Sequence, residues 1–137
     1  MDMMLAAPGA IAIGLSLGRP GYTRNDDMSI YRLSETCAAA GQIQVPDVAA
    51  IADAGYKTVI CNRPDGEDFG QPSAQDIAAE CEAHGLAFHM IPVSHGALTM
   101  DLVERFRQAV GASDGPVLAY CRSGQRSSVI WQASGAP

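Results

Sequence analysis

The stretch Val117–Ser128, which reads VLAYCRSGQRSS, decides how this chain folds and where its chemistry lies. Its first four residues are apolar or aromatic and are typical of a short buried strand. Cys121 follows directly, and the glycine-containing loop after it leads into RSSVIWQA, which can form a helix. The stretch therefore predicts a strand, a tight loop and a helix, with a thiol at the carboxyl end of the strand.

The rest of the chain predicts strands and helices that alternate. Apolar runs with β-branched residues indicate strands, and Ser73 and Thr99 stand where helix-capping side chains are expected. From Pro46 onward the two types of element alternate, which favours an α/β fold in three layers, with a mostly parallel central sheet flanked by helices. Strands are predicted over 29–33, 37–43, 56–62, 86–93 and 116–120, and helices over 46–55, 74–84, 100–110 and 126–133.

Composition places the chain among ordinary globular domains. Its 137 residues fit one domain, and 47% of them are apolar against 18% charged. A net charge of −6 with only nine Lys and Arg argues against a nucleic-acid surface. The four cysteines and three histidines lack the spacing of a zinc site or a redox dithiol, and no metal or organic cofactor is predicted. Reduced cysteines indicate a cytoplasmic protein, whose oligomeric state the sequence does not define.

The first 28 residues differ from the rest of the chain. The segment 3–18 has no charged residue, but it is short for a membrane span and contains Pro8 and three glycines. Asp2 stands where a signal peptide would carry a positive charge. We therefore predict a loose extension over 1–28, no membrane association and a folded domain over 29–137. An export signal or a packed segment is the alternative for the extension.

The loop after Cys121 carries the features of an anion site. Parallel α/β sheets bind ligands at the carboxyl ends of their strands, and a loop that enters a helix turns several backbone N–H groups toward one point. Gly124 permits such a tight backbone, and Arg126 could bind an oxyanion through two parallel hydrogen bonds. The positive potential of these amides and of Arg126 would favour ionisation of Cys121 to a nucleophilic thiolate. The alternative is an inert buried cysteine. The predicted oxyanion cradle consists of the backbone amides of Arg122, Ser123, Gly124, Gln125 and Arg126. The hydroxyls of Ser123, Ser127 and Ser128 could steady the thiolate or a leaving group.

A second loop, NRPDGED at 62–68, offers further candidates. It follows a predicted strand and should lie at the same sheet edge as Cys121. Asp65 could act there as a general acid or base, and Arg63 could attract an anion. The alternative is a salt-linked turn of Arg63, Asp65 and Glu67 that only shapes the pocket.

The remaining cysteines and the single tryptophan have structural interpretations. Cys61 also ends a predicted strand, so it could form a disulfide with Cys121, or it could be a small core residue. Cys37 and Cys81 are predicted core residues. Trp131 is predicted to anchor the last helix against the sheet.

Two families share motifs with this chain. The string CRSGQRS by itself resembles the active loop of rhodanese sulfurtransferases, in which the cysteine carries a persulfide. The longer stretches 41–67, 71–93 and 116–128 together resemble a bacterial family named for a phosphatase-like domain found beside β-lactamase-like hydrolases. That resemblance covers roughly residues 30–131 and implies the fold of dual-specificity protein tyrosine phosphatases. It also implies that Cys121 attacks phosphorus, that a phosphocysteine forms, and that water releases phosphate.

Two features depart from the pattern of tyrosine phosphatases. Those enzymes place five residues between the cysteine and the arginine, whereas Cys121 and Arg126 enclose four, RSGQ, which makes a smaller cradle, as in rhodaneses. The loop that matches the one carrying the phosphatase acid, PVSHGALT at 92–99, has no aspartate. His95 is the one titratable residue of that loop, and it could donate the proton or be an ordinary exposed loop residue.

The sequence thus leaves three functions open. The first is a cysteine-dependent hydrolase of phosphate esters, with Cys121 as nucleophile and Arg126 as anion clamp. The second is sulfur transfer through a persulfide on Cys121, and the third is a non-catalytic anion-binding module. The expected partner is a small phosphorylated or sulfur-containing molecule. Resembling proteins continue past the last predicted helix, so we expect a C-terminus that is truncated relative to theirs.

Overall fold

The structure, a computed structural model, describes residues 29–137, so the predicted extension over 1–28 lies outside the described residues. Every strand and helix predicted over 29–137 is present, with ends that differ by at most a few residues. In chain order the elements are β1 (Ile30–Arg32), β2 (Cys37–Ala40), α1 (Asp47–Asp53), β3 (Thr58–Cys61), α2 (Ala74–Ala83), β4 (Ala87–Met90), α3 (Met100–Ala112), β5 (Val117–Tyr120) and α4 (Gln125–Ser134).

The strands form one sheet in the order β1-β2-β5-β3-β4. The pairs β2–β5, β5–β3 and β3–β4 are parallel, and β1 pairs with β2 in the antiparallel sense, which confirms the mostly parallel sheet. β5 lies in the centre, so Cys121 is flanked by the ends of β2 and β3. Because the carboxyl ends of parallel strands meet at one edge, the segments that follow β2, β3, β4 and β5 gather around Cys121.

Both faces of the sheet are buried, which confirms the three layers. Along β5, Leu118 and Tyr120 belong to the core cluster that α1 and α2 cover. Val117 and Ala119 belong to the cluster that α3 and α4 cover. This alternation follows from the period of two residues in a strand, and it explains why the central strand is apolar throughout.

The predicted core residues are where the sequence places them. Cys37 and Cys81 are buried. Trp131 of α4 packs against the cluster that contains Phe106 of α3. The indole N–H of Trp131 is buried and has no hydrogen-bond partner within the described residues, so packing is the contribution of this side chain.

The helices are short and begin at defined caps. Ser73 Oγ accepts the N–H of Asp76 at 3.1 Å and Thr99 Oγ1 accepts the N–H of Leu102 at 3.2 Å, which confirms both predicted caps. α4 begins one residue earlier than predicted, because Gly124 takes a left-handed φ of 95° and turns the chain into the helix there. No helix within 29–137 is long and apolar enough to cross a membrane.

Candidate active site

Cys121 lies at the bottom of the site, directly after the central strand. Its backbone N–H donates to the carbonyl oxygen of Ala40 at 3.1 Å, and only 1% of the residue is exposed. The sulfur accepts the backbone N–H of Gly124 at 3.1 Å. A Cβ at position 124 would lie 3.4 Å from the backbone of Ala40 and from the ring of Tyr31, and the positive φ would strain it further. Glycine is therefore what allows this amide to face the sulfur.

The loop between Cys121 and α4 is held by one hydrogen bond within it and one from Gln42. Ser123 Oγ accepts the N–H of Gln125 at 3.3 Å, and the carbonyl oxygen of Arg122 accepts the N–H of Gln42 at 3.2 Å. The Arg122 side chain is exposed at the rim, 3.4 Å from Asp68. The start of α4 adds the positive end of a helix dipole. Four backbone N–H groups have no acceptor within the described part of the chain and are free for an oxyanion, those of Arg122, Ser123, Arg126 and Ser127.

Arg126 is held by three hydrogen bonds from its two terminal nitrogens. Nη1 donates to Glu67 Oε2 and to the carbonyl oxygen of Val93, and Nη2 donates to Glu67 Oε1, all at 2.8 Å. Glu67 thereby occupies the end-on fork formed by the two Nη atoms. Of the five guanidinium N–H donors, the Nε–H and the second Nη2–H remain as a parallel side-on pair. The pKa of Arg126 is raised mainly by its hydrogen bonds to Glu67, and the nearby Cys121 sulfur adds to this shift.

Glu67 is fixed in turn by Arg63. Its Oε1 accepts from Arg63 Nε at 2.9 Å, and Arg63 also donates to Gln42 Oε1 at 2.9 Å and to Asp68 Oδ2 at 2.7 Å. Hydrogen bonds from Arg126, together with those from Arg63, lower the pKa of Glu67 to about 2 against the opposing effect of desolvation. Arg63 is 3% exposed, and its guanidinium is occupied by the hydrogen bonds just described, as expected for the salt-linked turn. The structure therefore does not give it the role of a substrate ligand.

The two candidate acids occupy different surroundings. Asp65 does not join the salt-linked turn, because its Oδ1 accepts the backbone N–H of Ala74 at 2.8 Å and caps α2. His95 is exposed in the turn after β4, two residues beyond Val93, whose carbonyl oxygen accepts from Arg126. This hydrogen bond ties the loop that carries His95 to the segment that follows Cys121. Within the described residues, no hydrogen bond holds the His95 ring. The acid role of either residue stays a prediction.

The serine hydroxyls after Arg126 donate to acceptors other than the sulfur. Ser127 Oγ donates to Asn62 Oδ1 at 2.8 Å, and Ser128 Oγ donates to the carbonyl oxygen of Gly124 at 3.0 Å. This corrects the expectation that these hydroxyls steady the thiolate, because each spends its one hydrogen elsewhere. Sequence reasoning did not single out Asn62, although a polar residue directly after a buried parallel strand is a usable signal.

The other cysteines differ from Cys121 in their surroundings. Burial raises the pKa of Cys37 to about 12 and that of Cys81 to about 11. Burial also raises the pKa of Cys61, whose sulfur donates to the carbonyl oxygen of Arg63 at 3.2 Å. All four thiols are free, so the structure shows Cys61 as a core residue and contains no Cys61–Cys121 disulfide. Cys121 is the thiol whose sulfur accepts the Gly124 amide in the loop before α4, and it is the candidate nucleophile on that geometric ground.

The assembled groups suit the chemistry of a small oxyanion. The Cys121 sulfur accepts a backbone amide near a guanidinium whose side-on pair has no oxygen acceptor within the described residues, and four further amides surround the start of a helix. Such an arrangement can bind three oxygens of a tetrahedral anion and hold its central atom over the sulfur.

Comparison with known sequences identifies relatives. The sequence profile of the phosphatase-like domain of β-lactamase hydrolase-like proteins matches residues 29–137. A β-lactamase hydrolase-like protein of Agrobacterium fabrum is 33% identical over 104 residues, which cover 76% of this chain and 24% of the relative. One of Xylella fastidiosa is 32% identical over 107 residues, or 78% of this chain and 25% of the relative. The chain thus spans about a quarter of the length of the curated relatives that it matches.

Solved structures agree with this assignment. A Neisseria meningitidis Z2491 protein, solved as a candidate phosphatase, is 40% identical with a TM-score of 0.68, and the match covers 77% of this chain and 78% of that one. P. aeruginosa TpbA in complex with pTyr shares the fold, with a TM-score of 0.56 and 19% identity over 74% of this chain and 58% of that one. The chain therefore belongs to the family of phosphatase-like domains of β-lactamase hydrolase-like proteins, and it has the fold of protein tyrosine phosphatases.

Proposed function

We propose that this domain hydrolyses a phosphate ester through a phosphocysteine intermediate on Cys121. The observation that carries the proposal is the hydrogen bond that the sulfur of Cys121 accepts from the amide of Gly124, near the guanidinium of Arg126, with which the sulfur interacts electrostatically. Both donors favour negative charge on the sulfur and on an oxyanion above it. The phosphatase-like family and the fold of its solved relatives support the same reaction class.

The reaction takes place in two displacements. In the first, the Cys121 thiolate attacks phosphorus, the bond from phosphorus to the ester oxygen breaks, and the leaving oxygen takes a proton from an acid, for which His95 is our candidate. In the second, water attacks phosphorus and gives a proton back to the group that acted as the acid, the sulfur–phosphorus bond breaks, and phosphate leaves as the thiolate is restored. Arg126 and the free loop amides neutralise the charge that builds on the phosphoryl oxygens in both steps.

Sulfur transfer is the second candidate, and the length of the loop favours it. Cys121 and Arg126 enclose four residues, which makes a cradle smaller than that of tyrosine phosphatases. In this reaction the Cys121 thiolate would take the outer sulfur of thiosulfate and release sulfite. The resulting persulfide would then pass that sulfur to a nucleophile such as cyanide and restore the thiolate.

Intact-mass spectrometry distinguishes the two reactions. We expect wild-type protein quenched in acid after exposure to an aryl phosphate to gain one phosphoryl group on Cys121, and Cys121→Ser to gain none. Exposure to thiosulfate is expected to add no sulfur. A gain of one sulfur from thiosulfate, with none from the ester, would replace phosphate hydrolysis by sulfur transfer. No covalent gain in either case, with sulfate binding retained, would leave only the anion-binding module.

Glu67→Gln tests whether the Glu67 carboxylate must hold the Arg126 guanidinium in place. Glutamine keeps one acceptor oxygen but loses the charge and places a donor against Arg126, so we expect kcat/KM to fall about 10- to 100-fold, or about 1.4–2.7 kcal/mol. The matched control is Glu104→Gln, because Glu104 pairs with Arg107 on the exposed surface of α3 and lies outside the site. The rate of hydrolysis of an aryl phosphate is the measurement. Unchanged or faster turnover in Glu67→Gln would mean that the carboxylate competes with substrate for Arg126.

The depressed pKa of Glu67 sets the pH range of the clamp. A carboxyl whose folded pKa is lowered stabilises the folded state above its ordinary pKa, near 4.5, and loses this contribution as pH falls toward 2. The Glu67 carboxylate is therefore ionised and paired with Arg126 at neutral pH. Any acid limb of activity near pH 6 must come from another group and should persist in Glu67→Gln.

Substitutions of Asp65 and His95 show which of them donates the proton and which only caps a helix. Asparagine caps helices as well as aspartate does, so Asp65→Asn should keep both stability and turnover, whereas Asp65→Ala should lose about 1 kcal/mol of unfolding free energy. His95→Gln should slow hydrolysis of an alkyl phosphate by about 10²-fold and that of nitrophenyl phosphate far less, because nitrophenolate leaves without a proton. The reverse pattern, a loss in Asp65→Asn alone, would make Asp65 the acid.

A further inference from the structure

Asn62 stands at a junction of the segments that form the site. It is fully buried and follows β3 directly. Its backbone N–H donates to the carbonyl oxygen of Tyr120 at 2.7 Å, and its carbonyl oxygen accepts the N–H of Val93 at 3.0 Å. Tyr120 precedes the nucleophile, and Val93 accepts a hydrogen bond from Arg126. The backbone of Asn62 thus connects Tyr120, which precedes Cys121, with Val93, which accepts from Arg126.

The side chain of Asn62 adds a third link, and its direction is fixed by chemistry. Nδ2 lies 2.9 Å from the carbonyl oxygen of Ile91, and Oδ1 lies 2.8 Å from Ser127 Oγ. Since a backbone carbonyl can only accept, the NH₂ group must face Ile91 and the amide oxygen must face Ser127. The hydroxyl of Ser127 is then the donor in that pair. It has a single hydrogen, so in this arrangement it cannot donate to the sulfur of Cys121.

We infer that Asn62 is a positioning residue for the catalytic loop. By taking the hydroxyl hydrogen of Ser127, it ties the first turn of α4 to the end of β3, next to Arg126 in the chain. The Cys121 sulfur then accepts the amide of Gly124 and is stabilised electrostatically by the guanidinium of Arg126, and the pair of Asn62 and Ser127 acts on the sulfur only by holding these two groups in place. This deepens the proposed function by assigning the loop's support to a buried amide.

The test is the pH profile of Cys121 alkylation by iodoacetamide, read by mass spectrometry of the peptide that contains Cys121. The charged and titratable groups near the sulfur include Arg126 with Glu67 behind it, Cys61 with Tyr120 and Asp65 beside it, and Arg122 at the rim, and the test leaves all of them unchanged. Alkylation needs no turnover. A failure of phosphate hydrolysis is therefore distinguishable from a failure of this inference.

The variants are Asn62→Ala, Ser127→Ala and the double variant. Because either substitution breaks the same tie and loosens the same donors, both should move the pH midpoint of alkylation upward by a similar amount, about 0.5–1 unit. The double variant should move it no further than either single variant, because the two residues act as one unit.

The control is Thr58→Ala. Thr58 is a buried polar residue at the opposite end of β3, and its hydroxyl makes a 2.7 Å hydrogen bond with Ser113. It should lower the melting temperature, as loss of a buried hydrogen bond does, and leave the midpoint in place. Should Asn62→Ala not fold, Asn62→Ser takes its place, because the shorter serine side chain cannot reach Ser127 but remains polar, and its midpoint is read by the same criteria.

Two results would overturn the inference. An upward shift in Ser127→Ala, with no shift or a downward one in Asn62→Ala, would mean that Ser127 donates directly to the sulfur and that Asn62 competes for its hydrogen. Midpoints that stay at the wild-type value in both single variants, while the melting temperatures fall, would mean that the pair supports the fold alone.

Discussion

The site depends on the two-point ion pair between Glu67 and Arg126. A free arginine side chain can present its donors in many directions, and its rotamer freedom opposes any single placement. Glu67 removes that freedom by accepting from both Nη atoms, and Val93 accepts a third hydrogen bond. What remains is one side-on pair of donors near the sulfur. The carboxylate therefore acts by leaving the guanidinium with one available edge.

A buried cation would be costly in this position without compensation. Arg63 is almost completely enclosed, and it is neutralised by Glu67 and Asp68 while it also donates to Gln42. Arg126 shares Glu67 with it and Arg122 lies 3.4 Å from Asp68, so three guanidinium groups and two carboxylates form one connected network. Such networks are stable only when every member is satisfied. The compact turn at 63–68 supplies these partners, which explains why a loop outside the strand–loop–helix unit is essential to it.

The parallel sheet brings these parts together. Cys121 comes from the end of β5, Glu67 and Asn62 from the segment after β3, and Val93 from the segment after β4. These groups are far apart in sequence, but their strands are neighbours and run in the same direction. Their carboxyl ends therefore lie at one edge. The fold supplies the proximity, and the hydrogen bonds within the loops supply the orientation.

Local patterns were sufficient for the fold and for the position of Cys121 at the end of the central strand. Alternating apolar runs, the caps at Ser73 and Thr99 and the strand before Cys121 are short-range signals, and each corresponds to an element of the structure. Pairings across loops were not predictable in the same way. Glu67 could equally have been a solvated charge, and the hydrogen of Ser127 could have gone to the sulfur. Which acceptor wins depends on three-dimensional distances between β3 and α4 that no spacing along the chain encodes.

The central claim, that Glu67 leaves one edge of Arg126 for an oxyanion above Cys121, is tested most directly by a crystal structure with tungstate bound. The account predicts tungstate oxygens within about 3.2 Å of Nε and Nη2 of Arg126, with the metal centre over the sulfur and Glu67 still on the end-on fork. A structure in which the anion displaces Glu67 from that fork, or binds away from Cys121, would contradict it.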